Sequence, residues 1–186
     1  MNWFRSERLR RERSDDTVKR LTAQLDKLLA GASDPRETFS EFSRLLENEF
    51  DIRKGFLALR ENDGTRFLAV SSWKKGGQRR RLSLRLPSAS SLFEKVAETG
   101  QIYSETFAEF FDGNSVERNL LFDDETVSFV LRPLKYDARV VGLIGYSSDK
   151  PDAFVTIQDG QLDPAFDRLA AYLGTRQLEL TRTITA

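Results

Sequence analysis

The chain has 186 residues with neither cysteine nor histidine, and its 29 basic side chains balance 29 acidic ones. Those absences remove disulfides, thiol nucleophiles, the usual zinc ligands and the one side chain that ordinarily titrates near neutrality, so chemistry here would rest on carboxylates, lysines and hydroxyls. Zero net charge offers no whole-molecule attraction to nucleic acid or an anionic membrane, and no apolar run approaches the roughly 18 to 20 residues that span a bilayer.

Residues 5–30 begin charged and then carry Val18, Leu21, Leu25, Leu28 and Leu29 at helical spacing, with Gly31 to close the helix. Ser33, Asp34 and Pro35 read as a cap followed by proline in the first turn, and Glu37 stands where a capping-box carboxylate belongs. The second helix buries a stripe of Phe39, Phe42, Leu45, Leu46 and Phe50. Past Ile52 the period shortens. Gly55 to Leu59 and Arg66 to Trp73 form two strands joined by Glu61-Asn62-Asp63-Gly64, a strong hairpin signal. After the turn at Lys74 to Gly77, Arg79, Arg81, Ser83 and Arg85 alternate with Leu82, Leu84 and Leu86, which predicts a half-exposed strand with its arginines toward solvent.

Pro87 ends that strand, and Ser88 to Ser91 open a helix in which Leu92, Phe93, Val96 and Ala97 face inward before Gly100 stops it. Residues 101–105 predict a brief extended piece. Residues 106–124 form the least regular stretch, a partly helical loop over apolar surface. From Val127 to Phe154 two apolar runs flank a charged turn at Lys135 to Arg139. Their apolar residues occupy both parities, which predicts a hairpin at the centre of a sheet covered on both faces. A last helix follows Asp159-Gly160, with Leu162, Phe166, Leu169, Ala170 and Leu173 on one face that extends toward Leu180. Hairpin links dominate this order, so the fold class is α+β, an antiparallel sheet flanked by helices.

Across roughly residues 35–180 the chain resembles a GAF domain, a regulatory module of a PAS-related fold. Residues 91–102, SLFEKVAETGQI, look like the helix that ends in a threonine-glycine pair before a short strand. Val130 to Leu134 is similar to the family's Val-x-Pro-Leu strand, Val141 to Tyr146 to its partner, and Phe154 to the aromatic residue before the last helix. The division expected is an added charged, amphipathic helix over 1–32, the GAF-like domain over 33–182 and a tail over 183–186. The resemblance implies a sensory module that binds a small molecule between sheet and overlying loops, or one that dimerises. It implies no bilin anchor or sulfoxide reduction, which use cysteine, and no haem, which usually takes histidine. The cyclic-nucleotide pattern fails: Asn114 is followed by Ser115, and Phe122-Asp123-Asp124-Glu125 lacks the required spacing.

Candidate ligand-lining residues are Trp73, Tyr103, Phe107, Phe110, Phe111, Phe122, Ser128 and Arg132. The four phenylalanines either wall a cavity under the 106–124 loop or fill the core beneath it. Ser128 and Arg132 share a parity on one strand, and the guanidinium there needs a bound anion or a protein carboxylate. Lys74, Lys75, Arg79, Arg80, Arg81 and Arg85 crowd one hairpin, read as a solvated turn and not a nucleic-acid surface. Asp123, Asp124 and Glu125 lack the spacing of a calcium loop, so no metal site is expected. The stripe from Val18 to Leu29 either covers the sheet within the chain or joins the last helix and a second subunit. The expected function is a cytoplasmic, non-catalytic regulatory or sensory domain. It binds a small molecule in a Phe-lined cavity and signals as a homodimer or through a separate output protein; the alternative is a dimerisation scaffold with a filled pocket.

Overall fold

The computed structural model describes residues 3–185 except 33, 48 and 62, with side chains described within 15–176. Six antiparallel strands form one sheet in the order β3-β2-β1-β6-β5-β4: β1 (Lys54–Arg60), β2 (Phe67–Lys74), β3 (Arg80–Arg85), β4 (Tyr103–Glu105), β5 (Ser128–Tyr136) and β6 (Arg139–Ser148). The β5–β6 hairpin is interior, flanked by β1 on one side and β4 on the other. That is the central position its two-sided apolar pattern predicts.

Alternation along the strands divides the core into two layers. Val130, Leu134, Ile144 and Tyr146 point to one face with Leu57, Val70 and Trp73, under α1 (Trp3–Ala30), α2 (Pro35–Glu47) and α6 (Asp163–Thr185). Phe129, Leu131 and Leu143 point to the other with Phe56 and Ala69, under α3 (Leu92–Thr99) and α4 (Ser115–Leu121). Glycines let aromatic rings lie flat on the strands. A Cβ on Gly145 would collide with the Phe56 ring, and one on Gly55 would stand 2.7 Å from Trp73 Nε1 and 2.8 Å from the Tyr146 ring.

Helix boundaries follow their caps. Asp34 Oδ1 accepts from the Arg36 N–H at 2.8 Å ahead of Pro35; Ser33 of the expected cap lies outside the described residues. Glu37 takes a 3.0 Å hydrogen bond from Arg81, which ties α2 to β3. Ser91 caps α3 by accepting from the Glu94 N–H at 3.0 Å, and Gly100 closes it in the left-handed region. In α1, Leu21 and Leu25 are buried while Val18, Leu28 and Leu29 pack at the margin, so this stripe covers the core within the chain. Asp26 pairs with Arg168 of α6 at 2.8 Å. Leu162, just ahead of α6, and the α6 stripe of Phe166, Leu169, Ala170 and Leu173 are fully buried; Leu180 lies beyond the described side chains.

Three details differ from the sequence reading. Leu84, expected to face inward, is 42% exposed, because β3 is an edge strand that the helices do not cover fully. A one-turn helix, α5 (Val155–Gln158), interrupts the exit from β6. And α6 continues to Thr185, through positions 183–185 of the expected tail. No helix among the described residues is long and apolar enough to cross a membrane.

Candidate functional site

The loop over the second layer is organised by one carboxylate. Asn114 Oδ1 caps α4 by accepting from the N–H groups of Val116 and Glu117, each at 3.1 Å, and Glu117 bends back to accept from the Asn114 N–H at 3.2 Å. The same fully buried carboxylate accepts from the N–H groups of Leu92 at 3.0 Å and Phe93 at 3.2 Å and from the Ser91 hydroxyl. Glu117 thereby clasps the N-termini of α3 and α4 together. Burial pushes its pKa up; the bonds from Ser91, Leu92, Phe93 and Asn114 oppose that without cancelling it.

Aromatic rings occupy the space between β5 and the 106–124 segment. Phe111, Phe122 and Phe129 meet pairwise with centroids at 5.0, 5.1 and 5.6 Å, and Tyr103 joins Phe129 at 6.0 Å. The Tyr103 hydroxyl donates to Glu105 at 3.0 Å. Phe107 and Phe110 instead pair with each other at the surface, 53% and 59% exposed, around a short 3-10 turn at Ala108–Phe110.

The sheet separates the remaining candidates from these. Arg132 faces the α6 side, where its Nη2 donates to Asp163 Oδ1 at 2.5 Å and its guanidinium lies 4.3 Å over the Phe166 ring. Its Nε and Nη1 are buried without a partner among the described residues. Ser128 donates to the Lys150 carbonyl, and Trp73 is buried beneath Arg79. Tyr103, Phe111 and Phe122 thus come together around Phe129; Trp73, Ser128 and Arg132 lie on the opposite face.

An open cleft of about 360 Å³ lies where β1, β2 and β3 meet α4, lined by Lys54, Lys74, Arg80, Leu84 and Leu120 among others. Lys54 Nζ donates to the carbonyls of Asn119 at 2.5 Å and Phe122 at 2.8 Å, a cation at the C-terminal end of a helix. Burial lowers its pKa; Asp123 opposes that, and Lys74 and Arg80 reinforce it. Asp123 in turn accepts from Lys74 at 3.1 Å and Arg53 at 3.5 Å. Burial alone would raise its carboxyl, but Lys74, Thr126, the Glu125 N–H and Arg53 hold it below its ordinary value. Sequence reading missed both Glu117 and Lys54. Asn-x-x-Glu at 114–117 was a legible capping signal, whereas nothing local marks Lys54. Among the described residues no group of three or more Asp or Glu side chains is placed to hold a metal ion.

A family model described as GAF domain matches residues 34–176. Among solved structures, the GAF domain of a phosphoenolpyruvate-protein phosphotransferase from Coxiella burnetii is similar at TM-score 0.70 and 12% identity, over 89% of this chain and 97% of that one. The corresponding domain from Acinetobacter gives 0.67 and 14%, over 89% and 95%. A free methionine-R-sulfoxide reductase from Neisseria meningitidis, solved with its substrate, gives 0.58 and 13%, over 84% and 91%. At these identities the likeness is one of fold. No curated protein matches the chain.

Proposed function

The chain belongs to the GAF domain family, and on that premise we propose that it is a non-catalytic regulatory module that acts through protein contacts, as a homodimer and on a separate output protein. The observation that carries this reading is the closed Phe111–Phe122–Phe129 cluster: the space in which the sequence would place a ligand holds side chains of the chain itself. Input and output must then lie on the outside. Absence of catalysis is supported by the composition, since neither a thiol nor an imidazole is available, and the cysteines that the resemblance assigns to sulfoxide reduction are missing.

Contact with a second copy is supported by the terminal helices. The family match spans 34–176, while α1 begins at Trp3 and α6 runs to Thr185, so both helices extend beyond it. The sequence there still carries Leu9, Leu178, Leu180 and Ile184. Native mass spectrometry with light scattering on the purified full chain tests the proposal. It expects a dimer whose subunit mass equals the denatured mass. A small molecule retained through purification, or a monomer at every concentration, overturns it.

A further inference from the structure

We propose that the cleft between β2–β3 and α4 binds a small amphiphilic anion, a phosphate ester with a compact apolar body, its charge held by Lys54, Lys74 and Arg80 and its body laid on Leu84 and Leu120.

Three observations carry this. The cleft gathers three cations and no carboxylate among its lining residues. Asp123, outside the lining, offsets part of this charge through Lys74 and Lys54, and the remainder centres on Arg80, where a bound anion would be stabilised. Lys54 and Lys74 have partners that fix them in place, the α4 carbonyls and Asp123, whereas the Arg80 side chain, on a residue paired through its backbone with Ser72, has no hydrogen-bond or ion-pair partner among the described residues. Its five donors remain available to a planar or tetrahedral oxyanion. Finally, one wall is apolar: Leu84 stands 42% exposed at a position whose sequence alternation points inward, and Leu120 closes the opposite side from α4. Ser72 and Asn119 add neutral hydrogen-bonding groups beside the cations.

This inference goes beyond the regulatory reading, which needs no ligand and stands or falls separately. An open cleft of this kind exchanges its occupant quickly, so the ligand is not carried through purification.

Titration calorimetry of the full chain with phenyl phosphate, inorganic phosphate and phenol provides the test. Phenyl phosphate is expected to bind more tightly than inorganic phosphate, phenol not measurably, and binding should weaken as salt rises. Arg80→Ala should weaken phenyl phosphate by about fivefold to tenfold, the loss of one charge-assisted contact at a partly exposed site. Leu84→Ser should erase the advantage of phenyl phosphate over phosphate. Arg80 and Leu84 are both exposed, so neither variant threatens the fold. Arg66→Ala, at an exposed cation outside the cleft lining, should change nothing. No binding of phenyl phosphate at millimolar concentration, equal binding of the two phosphates, or an equal loss in Arg66→Ala each overturns the proposal.

Discussion

Glu117 shows how one side chain decides the form of an irregular segment. Both of its oxygens act only as acceptors: Oε2 toward the N–H groups of Leu92 and Asn114, Oε1 toward the Phe93 N–H and the Ser91 hydroxyl. Glu117→Gln keeps the shape but turns an NH2 group against a backbone N–H, whereas the protonated acid can direct its single hydrogen to the Ser91 hydroxyl and leave every N–H with an acceptor. The buried donor then loses its acceptor, and the expected cost is about 2 kcal/mol, read from the urea midpoint. The pH dependence has a definite sign. Because the folded-state pKa of Glu117 is raised, its contribution is fully present below the ordinary value of 4.5 and is lost as pH rises through the raised value. The wild-type advantage over Glu117→Gln is therefore largest in acid and shrinks toward neutrality. An advantage that grows toward neutrality would mean that the four donors outweigh burial.

At the scale of elements, the β5–β6 turn is the clearest case of a position where the backbone asks for another residue. Asp137 and Ala138 have φ of 51° and 58°, the arrangement of a two-residue hairpin turn whose hand suits the strand twist. Asp tolerates that region; Ala does not. Ala138→Gly is expected to stabilise the protein by roughly 1 kcal/mol, seen as a higher thermal midpoint, because removing a Cβ relieves more strain there than the added chain entropy costs. Elements of this kind were legible in the sequence because their signals are local: Asp-Gly before β2, Ser91 and Gly100 around α3, the two-parity apolar runs of β5 and β6. What stayed hidden depends on partners distant in sequence. Glu117 meets α3 some 25 residues away, and Arg132 meets Asp163 31 residues on. Leu84 was misplaced because alternation reports which face a residue takes, not whether a helix covers that face at the sheet's edge. The short α5 has too few residues to show a period. Of the eight candidate site residues, the aromatic ones could be grouped by proximity in sequence, but parity relative to the sheet, which sends Trp73 and Arg132 to the other layer, appears only once strand order is known.

For the whole molecule, the question is how much of α1 belongs to the fold and how much is left for the proposed assembly. Leu21 and Leu25 are buried in the α1–α2–α6 layer, so the C-terminal half of α1 is part of the core. Deleting residues 1–30 would therefore confound loss of assembly with loss of packing, since each buried leucine removed costs about 2–5 kcal/mol. Deleting 1–14 separates them. That cut removes about 18 Å of helix and leaves Leu21, Leu25 and the Asp26–Arg168 pair in place. If a second copy is held by residues 3–14 of α1, light scattering should show the 15–186 variant as a monomer with a thermal midpoint close to that of the diluted full chain. The 31–186 variant should melt markedly lower whatever its oligomeric state. A 15–186 variant that remains dimeric would move the interface off the first turns of α1 and onto α6 or the sheet edge. The reverse outcome, a 31–186 variant as stable as the full chain, would show that the α1 leucines contribute nothing to the core they occupy.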